Sequence, residues 1–422
     1  MIRHYLRLAW AMMRQNRLFS AIYIVGTGLS VALAMTLFII FYIKLGPVYP
    51  EYNRSRIVYL DQIAHVIEHG GSYTVMKRAA SQSLCERLRT IEGCEALAMV
   101  AGNYRYDFSV NELNECRGLF VNNDFWRVYD FKFVAGGPFD DTQSTAVVVS
   151  ADFAMELFRS TDVVGKEIFI NNTRNSIIGV VESPSGCTPE CYAQFWLPIT
   201  HTQCDDARDN HPIIGGFRAA ILCSSADKTS SVIAEVKSII ERLAQEQPEG
   251  NSFTTKKIGE HWKKALNIED EEATLLDAVS KYIYILLALL FIPSLNLGGM
   301  IASRMAGRMD EVGVRKAFGA TNGSVLFQVL CENLLLTAMG ALFGLLLAYL
   351  ITLGASSWIL TLFDGKINGA APENVITVEM LFNPTIIAIT ILLTLVLNLM
   401  AAIVPTLFAL RKSITYSLNN KR

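Results

Sequence analysis

Residues 304–323, RMAGRMDEVGVRKAFGATNG, decide how this chain is organised. One apolar run ends at Ala302 and another begins at Val325. Between them lie Arg304, Arg308, Asp310, Glu311, Arg315 and Lys316. A short charged segment between two apolar runs of spanning length is a polar elbow joining two membrane helices. Its arginines and lysine put it on the cytoplasmic side, because Lys and Arg accumulate there in multi-pass proteins. The plainer reading is a solvated loop whose charges only set topology. The sharper one is a surface that takes force from a soluble partner.

Working outward, the rest of the chain supports a membrane protein. Hydrophobic residues are 51% of 422 and charged residues 18%, below the roughly 25% of soluble domains. Mean hydropathy is +0.32. The net charge of -2 argues against a nucleic-acid partner, which needs a concentrated basic surface. Four apolar runs meet the requirement of about 20 residues for a bilayer core: Phe19 to Ile43, Tyr282 to Ala302, Val325 to Leu353 and Pro384 to Leu410. The first is too long for a signal-peptide core and has no small-residue cleavage site after it. It is expected to be a retained helix.

Charge sets the orientation. Arg3, Arg7, Arg14 and Arg17 precede the first run, and Arg411, Lys412, Lys421 and Arg422 follow the last. The connection Gly354 to Asn383 has only Lys366 against Asp364, Glu373 and Glu379. Both termini and the elbow are therefore expected in the cytoplasm. The first 18 residues are amphipathic, with Tyr5, Leu6, Leu8 and Trp10 beside arginines, and suit the inner surface of the lipid bilayer or a simple extension of the first helix.

The segment 46–278 lies outside and is large enough for its own core. Thr229 to Gln247 places Val232, Ile233, Val236, Ile239, Ile240 and Leu243 on one helical face. Thr229 or Ser230 is its expected cap, and Pro248 and Gly250 stop it. Ser81 to Ile91 repeats the pattern with Leu84 and Leu88. Ala146–Ser150, Glu167–Ile170 and Ser176–Val181 read as strands. The expected fold is an α-helical membrane protein with four transmembrane helices and a large α+β extracytoplasmic domain between the first two. Its parts are 1–18, helix 19–45, domain 46–278 and a region 279–422. That last region holds helices at about 282–302, 325–353 and 384–410 and the elbow 304–324.

The elbow run Arg308-Met-Asp-Glu311-Val-Gly313-Val-Arg315-Lys316-Ala317-Phe-Gly319-Ala-Thr321 resembles the signature of MacB/FtsX-type ABC transporter permeases. Asn296 and Glu332 match an Asn and a Glu of the flanking helices in that family. Phe131–Gly137, Ala146–Ser150, Ala154–Phe158, Val164–Ile168 and Ile177–Val181 resemble its periplasmic core domain. The resemblance implies a bacterial inner-membrane subunit whose elbow is a coupling helix on a separate ATPase. Arg308, Glu311, Gly313, Arg315, Lys316 and Gly319 are then the coupling residues. Val312, Val314, Ala317 and Phe318 offer apolar contact, and Gly319 permits the turn back into the membrane. It further implies a permease dimer, from a second copy or a paralogue, and ATP and Mg held by the ATPase rather than by this chain. No Gly-x-x-x-x-Gly-Lys-Ser/Thr run occurs in the sequence. The full-length macrolide exporter carries a fused N-terminal ATPase, whereas this sequence starts almost at a membrane helix, so a separate ATPase polypeptide is expected.

Within the membrane, Glu332 is expected to be structural and interfacial, near the elbow arginines. Pro293 with Asn296 points to a kink in the second helix. Gly340 and Gly344 form a small-xxx-small pair for close helix contact, with a second permease as one candidate neighbour. Seven of eight cysteines lie in the outer domain, and Cys187-Thr-Pro-Glu-Cys191 is placed to close a small loop or contact Cys204. His201 and His211 nearby, and His65 with His69, read as polar loop residues rather than metal ligands, because no second ligand pair completes a set. No catalytic constellation is present, so the chain is expected to be a non-catalytic subunit. Export of a periplasmic substrate through an adaptor and outer-membrane channel is the leading expectation. Lipoprotein extraction and FtsX-like control of a cell-wall hydrolase are the alternatives.

Overall fold

Alternating apolar side chains build the larger of two folded units. The computed structural model describes residues 10–11, 13–69, 72–109, 113–207, 211–268, 270, 272–307, 309–355, 378–381 and 383–410. One unit comprises Tyr42–Ala278 with Ser357–Thr377, and the other Met1–Phe41, Val279–Ser356 and Val378–Arg422.

The first unit is α+β. Its strands are β1 (Ile57–His69), β2 (Ser72–Ala80), β3 (Cys94–Ser109), β4 (Leu113–Val121), β5 (Phe133–Gly136) and β6 (Ala146–Ser150). They continue as β7 (Glu167–Ile170), β8 (Thr173–Val181), β9 (Phe195–Pro198), β10 (Ile214–Gly215), β11 (Arg218–Cys223) and β12 (Asn251–Glu260). They join in the order β10-β2-β1-β11-β3-β4-β9-β6-β8-β5, with β12 on β1 and β7 against β3 and β8. The β4–β9 and β6–β8 pairs are parallel. The central strands are covered on both faces. Leu97, Met99 and Ala101 of β3 join Ile221 of β11 in one core, while Ala96, Ala98 and Val100 join Leu222 in the other. That period of two is what a pleated strand requires, and each fully buried Ile, Leu or Phe contributes roughly 1.5–3 kcal/mol.

Of the outer-domain helices, α2 (Gln82–Leu88) and α4 (Ala151–Phe158) are capped by Ser81 and Ser150, whose hydroxyls accept from Leu84 N and Phe153 N. The helix α5 (Thr229–Gln245) buries Val232, Val236, Ile240 and Leu243. Its expected cap is wrong. A 3-10 turn, Ala226–Lys228, leads into it, and the single Thr229 hydroxyl proton is shared between Ala226 O and Glu260 Oε1 instead. The short α3 (Phe125–Val128) and α6 (His261–Ala265) complete this unit.

In the second unit α1 (Arg17–Leu45), α7 (Leu275–Gly307), α8 (Met309–Ala317), α9 (Asn322–Gly354), α10 (Val378–Leu381) and α11 (Pro384–Leu410) carry the remaining chain, the ends of α1 and α7 reaching into the first. Among the described residues three helices are long and apolar enough to span a membrane: Arg17–Leu45, Asn322–Gly354 and Pro384–Phe408. The expected second span falls within α7 and is not among them, so three of the four expected spans are shown. The backbone of α7 is helical through Pro293 and Asn296, whose side chains lie outside the described residues. Residues 1–9, most of the 354–383 connection and the tail 411–422 lie outside them too.

Candidate functional site

The elbow folds as the helix α8 followed by a tight reversal. Gly319 has φ 91°, a conformation that only glycine adopts cheaply. Its N–H donates to Lys316 O at 3.0 Å and the Ala320 N–H to Arg315 O at 3.0 Å. That pair of bonds is a Schellman stop, which satisfies the carbonyls at the end of α8. Two residues later Thr321 caps α9, its hydroxyl accepting from Ser324 N at 3.2 Å. A helix stop and a helix start thus share three residues, Gly319, Ala320 and Thr321.

The elbow has an inner and an outer face. Val312 is buried with Tyr23 of α1, Ile301 and Met305 of α7, and Val325 and Val329 of α9. It is therefore not available to a partner, contrary to the expectation for that residue. Val314 and Phe318 are exposed, Phe318 by 89%. Gly313 is buried and Lys316 partly so. The Arg315 guanidinium turns back and donates to Gln328 Oε1, and Gln328 Nε2 donates to Glu332 Oε1 at 3.1 Å. Gln328 and Glu332 are each 5% exposed. A relay of three side chains thus ties the elbow to the start of α9. Arg308 lies outside the described residues, as does the side chain of Glu311.

Glycine fixes the helix packing behind the elbow. A Cβ on Gly344 would stand 2.6 Å from Gly28 O and 2.7 Å from Val31 Cβ, and one on Gly340 2.8 Å from Thr27 Cβ. The small-xxx-small pair therefore provides the close helix contact expected of it, and its neighbour is α1 of the same chain. Tyr23 and Thr337 hydroxyls meet at 3.2 Å, and Asn398 Nδ2 donates to Thr337 Oγ1 at 3.4 Å. These bonds link α1, α9 and α11 where no water competes.

A second constellation lies in the α+β unit, where α1 ends. The last carbonyls of a helix lack intrahelical donors and carry partial negative charge. Here Arg54 Nη1 donates to Ile43 O at 2.6 Å and Gly46 O at 2.9 Å, and its Nε to Glu51 Oε2 at 2.8 Å. Glu51 and Arg54 are 0% and 3% exposed. His261 Nε2 lies 2.9 Å from Lys44 O, so it must be the protonated nitrogen and donates. Burial first, and then the Arg54 charge, hold the His261 pKa down to about 4.

Beside it, Lys264 Nζ sits 2.7 Å from both Asp61 and Glu190, and Arg218 is 3.4 Å from Glu190. Burial pushes the Glu190 carboxyl up, but Lys264 and Arg218 together outweigh it and hold the pKa at about 2. The cations and carboxylates named in this junction match in number, which is what makes their burial tolerable. The junction was not foreseen. Its one local signal is the Glu51-x-x-Arg54 spacing just after an apolar run.

The remaining cysteines and histidines have local tasks. Cys191 Sγ donates to Glu51 Oε1 at 3.3 Å, and no disulfide joins Cys187 to Cys191. His201 Nε2 meets Asn175 Oδ1 at 3.0 Å, and His211 Nδ1 accepts from Ile213 N and Ile214 N.

Residues 20–239 match the family model of the MacB-like periplasmic core domain, and residues 283–414 that of the FtsX-like permease C-terminal region. The chain is 25% identical over 239 residues to the uncharacterized ABC transporter permease YknZ of Bacillus subtilis, covering 54% of this chain and 55% of that protein. It is 28% identical over 239 residues to the macrolide export ATP-binding/permease protein MacB of Chromobacterium violaceum, covering 54% and 34% respectively. It thus spans about half the length of the first relative and about a third of the second. A solved extracellular domain of YknZ is similar over 46% of this chain and 100% of that one, with TM-score 0.33 and 14% identity. The solved periplasmic region of MacB from Actinobacillus actinomycetemcomitans is similar over 50% and 94%, with TM-score 0.34 and 11% identity.

Proposed function

Because the chain belongs to the ABC transporter permease family with a MacB-like periplasmic core domain and an FtsX-like permease region, we propose that it couples a separate ATPase to shape changes in its periplasmic domain. Two copies, or this chain and a paralogue, pair in the bacterial inner membrane over two ATPase subunits, with both termini and the elbow in the cytoplasm. Four spans are part of this reading, α7 supplying the second. ATP and Mg stay on the ATPase, and this chain carries no chemistry. The observation that carries the reading is the elbow: a nine-residue charged helix, anchored inward through Val312 and Arg315, presents Val314 and Phe318 outward. An exposed apolar spot on a polar helix suits a protein partner, the apolar contact supplying affinity. Export of a periplasmic substrate, with an adaptor and outer-membrane channel, is the work this best fits. The size of the outer domain favours it over an FtsX-like regulator, and lipoprotein extraction is the second reading within the same class.

The test is isolation of the tagged chain from native membranes in mild detergent, with cross-linking through positions 311 and 315 and identification of what comes with it. An ATPase cross-linked through the elbow supports the coupling role, and an adaptor or duct supports export. An ATPase with a cell-wall hydrolase and no duct moves the assignment to regulation. No ATPase in either sample sinks the proposal.

A further inference from the structure

Two cysteines from opposite ends of the outer domain face each other across the sheet. In the antiparallel pair of β3 and β11 the register runs Ile221–Leu97 and Leu222–Ala96, then shifts so that Cys223 stands opposite Cys94. The Ser224 N–H donates to Gly93 O at 2.9 Å directly beside them. A bond in that place makes Cys94 and Cys223 a non-hydrogen-bonded pair, the type whose side chains come closest, with Cα atoms about 4.5 Å apart. A disulfide needs roughly 4.4–6.8 Å. The shift also sets the phase: it skips Glu95, which is exposed and paired with Arg56, so both thiols point into the same core. Across the described strand pairs no other cysteine faces a cysteine.

We propose that Cys94 and Cys223 are a thiol–disulfide pair, joined in the oxidising compartment that holds the periplasmic domain. The oxidant is a protein or small-molecule disulfide. Both are reduced thiols in this structure, Cys94 the half-buried member and Cys223 the buried one, so Cys94 is the entry point. Its thiolate attacks one sulfur of the oxidant and expels the first thiolate. The Cys223 thiolate then attacks Cys94 Sγ in the mixed disulfide and expels the second. Two protons leave the pair, and two electrons depart with the oxidant as its dithiol. The bond closes a loop of about 130 residues and ties the α2–β3 connection to the β11–α5 connection. Burial pushes both thiols up to about 11, so few are thiolate at neutral pH and the folded domain reacts slowly.

The inference rests on the periplasmic placement of the domain and not on the ATPase coupling, so the two can fail separately. The full chain is acid-quenched in native membranes, alkylated under denaturing conditions and digested without reductant. A parallel sample in detergent is equilibrated with oxidised and reduced glutathione. Wild type is expected to show six free thiols of its eight and one linked peptide joining Cys94 to Cys223. C94S and C223S lose that peptide, and C187S keeps it. Reductant lowers the unfolding midpoint of wild type by about 5–10 °C and leaves C94S unchanged. Eight free thiols in both wild-type samples, or a linked peptide that survives C94S, overturns the proposal without recourse to how any variant folds.

Discussion

Replacing His261 with Gln should remove most of the acid sensitivity of the outer domain above pH 5. His261 donates from Nε2 to Lys44 O, and Nδ1 accepts no hydrogen bond among the described residues. A second proton would have to enter at Nδ1, in a buried place already facing the Arg54 guanidinium. The folded pKa is therefore about 4 against 6.5 for the free side chain. Because the unfolded chain takes up its proton first, stability is lost as pH falls from 6.5 towards 4. The linkage relation gives about 2 kcal/mol lost by pH 5 and about 3 kcal/mol by pH 4. For a unit of this size 2 kcal/mol is about 4–8 °C in unfolding midpoint. Glu190 does not confuse the window, since its contribution is lost only between about 4.5 and 2. Gln keeps an amide donor near the Lys44 carbonyl and cannot titrate. The assay is thermal unfolding of the full chain in detergent at pH 7 and pH 5, wild type against H261Q. Equal shifts in the two proteins would refute the argument.

E190Q leaves Lys264 and Arg218 to share Asp61 in a partly buried site. Leaving such a group without its partner costs about 1–3 kcal/mol, read as a lower denaturation midpoint that E190Q with K264M partly restores. G344A drives a methyl into Gly28 O and Val31 and should cost about 1–3 kcal/mol. G26A, which meets nothing within 4 Å, should be neutral or stabilising, and equal melting of the two in detergent would contradict the packing described. R315A breaks the link from the elbow to Gln328 and Glu332. If the elbow transmits force, phosphate release by the co-purified complex should fall about tenfold, roughly 1.4 kcal/mol, and an unchanged rate would restrict Arg315 to packing.

Much of the architecture was legible because it rests on repetition. Long apolar runs point to membrane spans, the stripe from Val232 to Leu243 states a helical period, and the β-branched run Ala146–Ser150 reads as a strand buried on both faces. The elbow was legible because a helix stop and a helix start must be written locally, as Gly319 and Thr321. Small-residue spacing at Gly340 and Gly344 announced a close contact but not its partner, since a missing side chain carries no address. Val312 looked like its neighbours in the elbow, and only the helix rotation sets it inward while Val314 and Phe318 face outward.

The junction and the thiol pair stayed hidden for one physical reason: each is assembled from single residues far apart in the chain. Glu51, Arg54, Asp61, Glu190, Arg218, His261 and Lys264 each read alone as exposed charges or a loop histidine, because an isolated charge cannot be buried. They can be buried only together, and their matching becomes visible when β1, β11 and α6 meet. The cysteines depend on a still finer detail. Without the shift after Leu222, the register would set Cys223 against Glu95 and turn Cys94 to the opposite face, since a one-residue slip inverts a strand. A single bulge therefore decides whether the domain has an exposed carboxylate or a second thiol opposite Cys223.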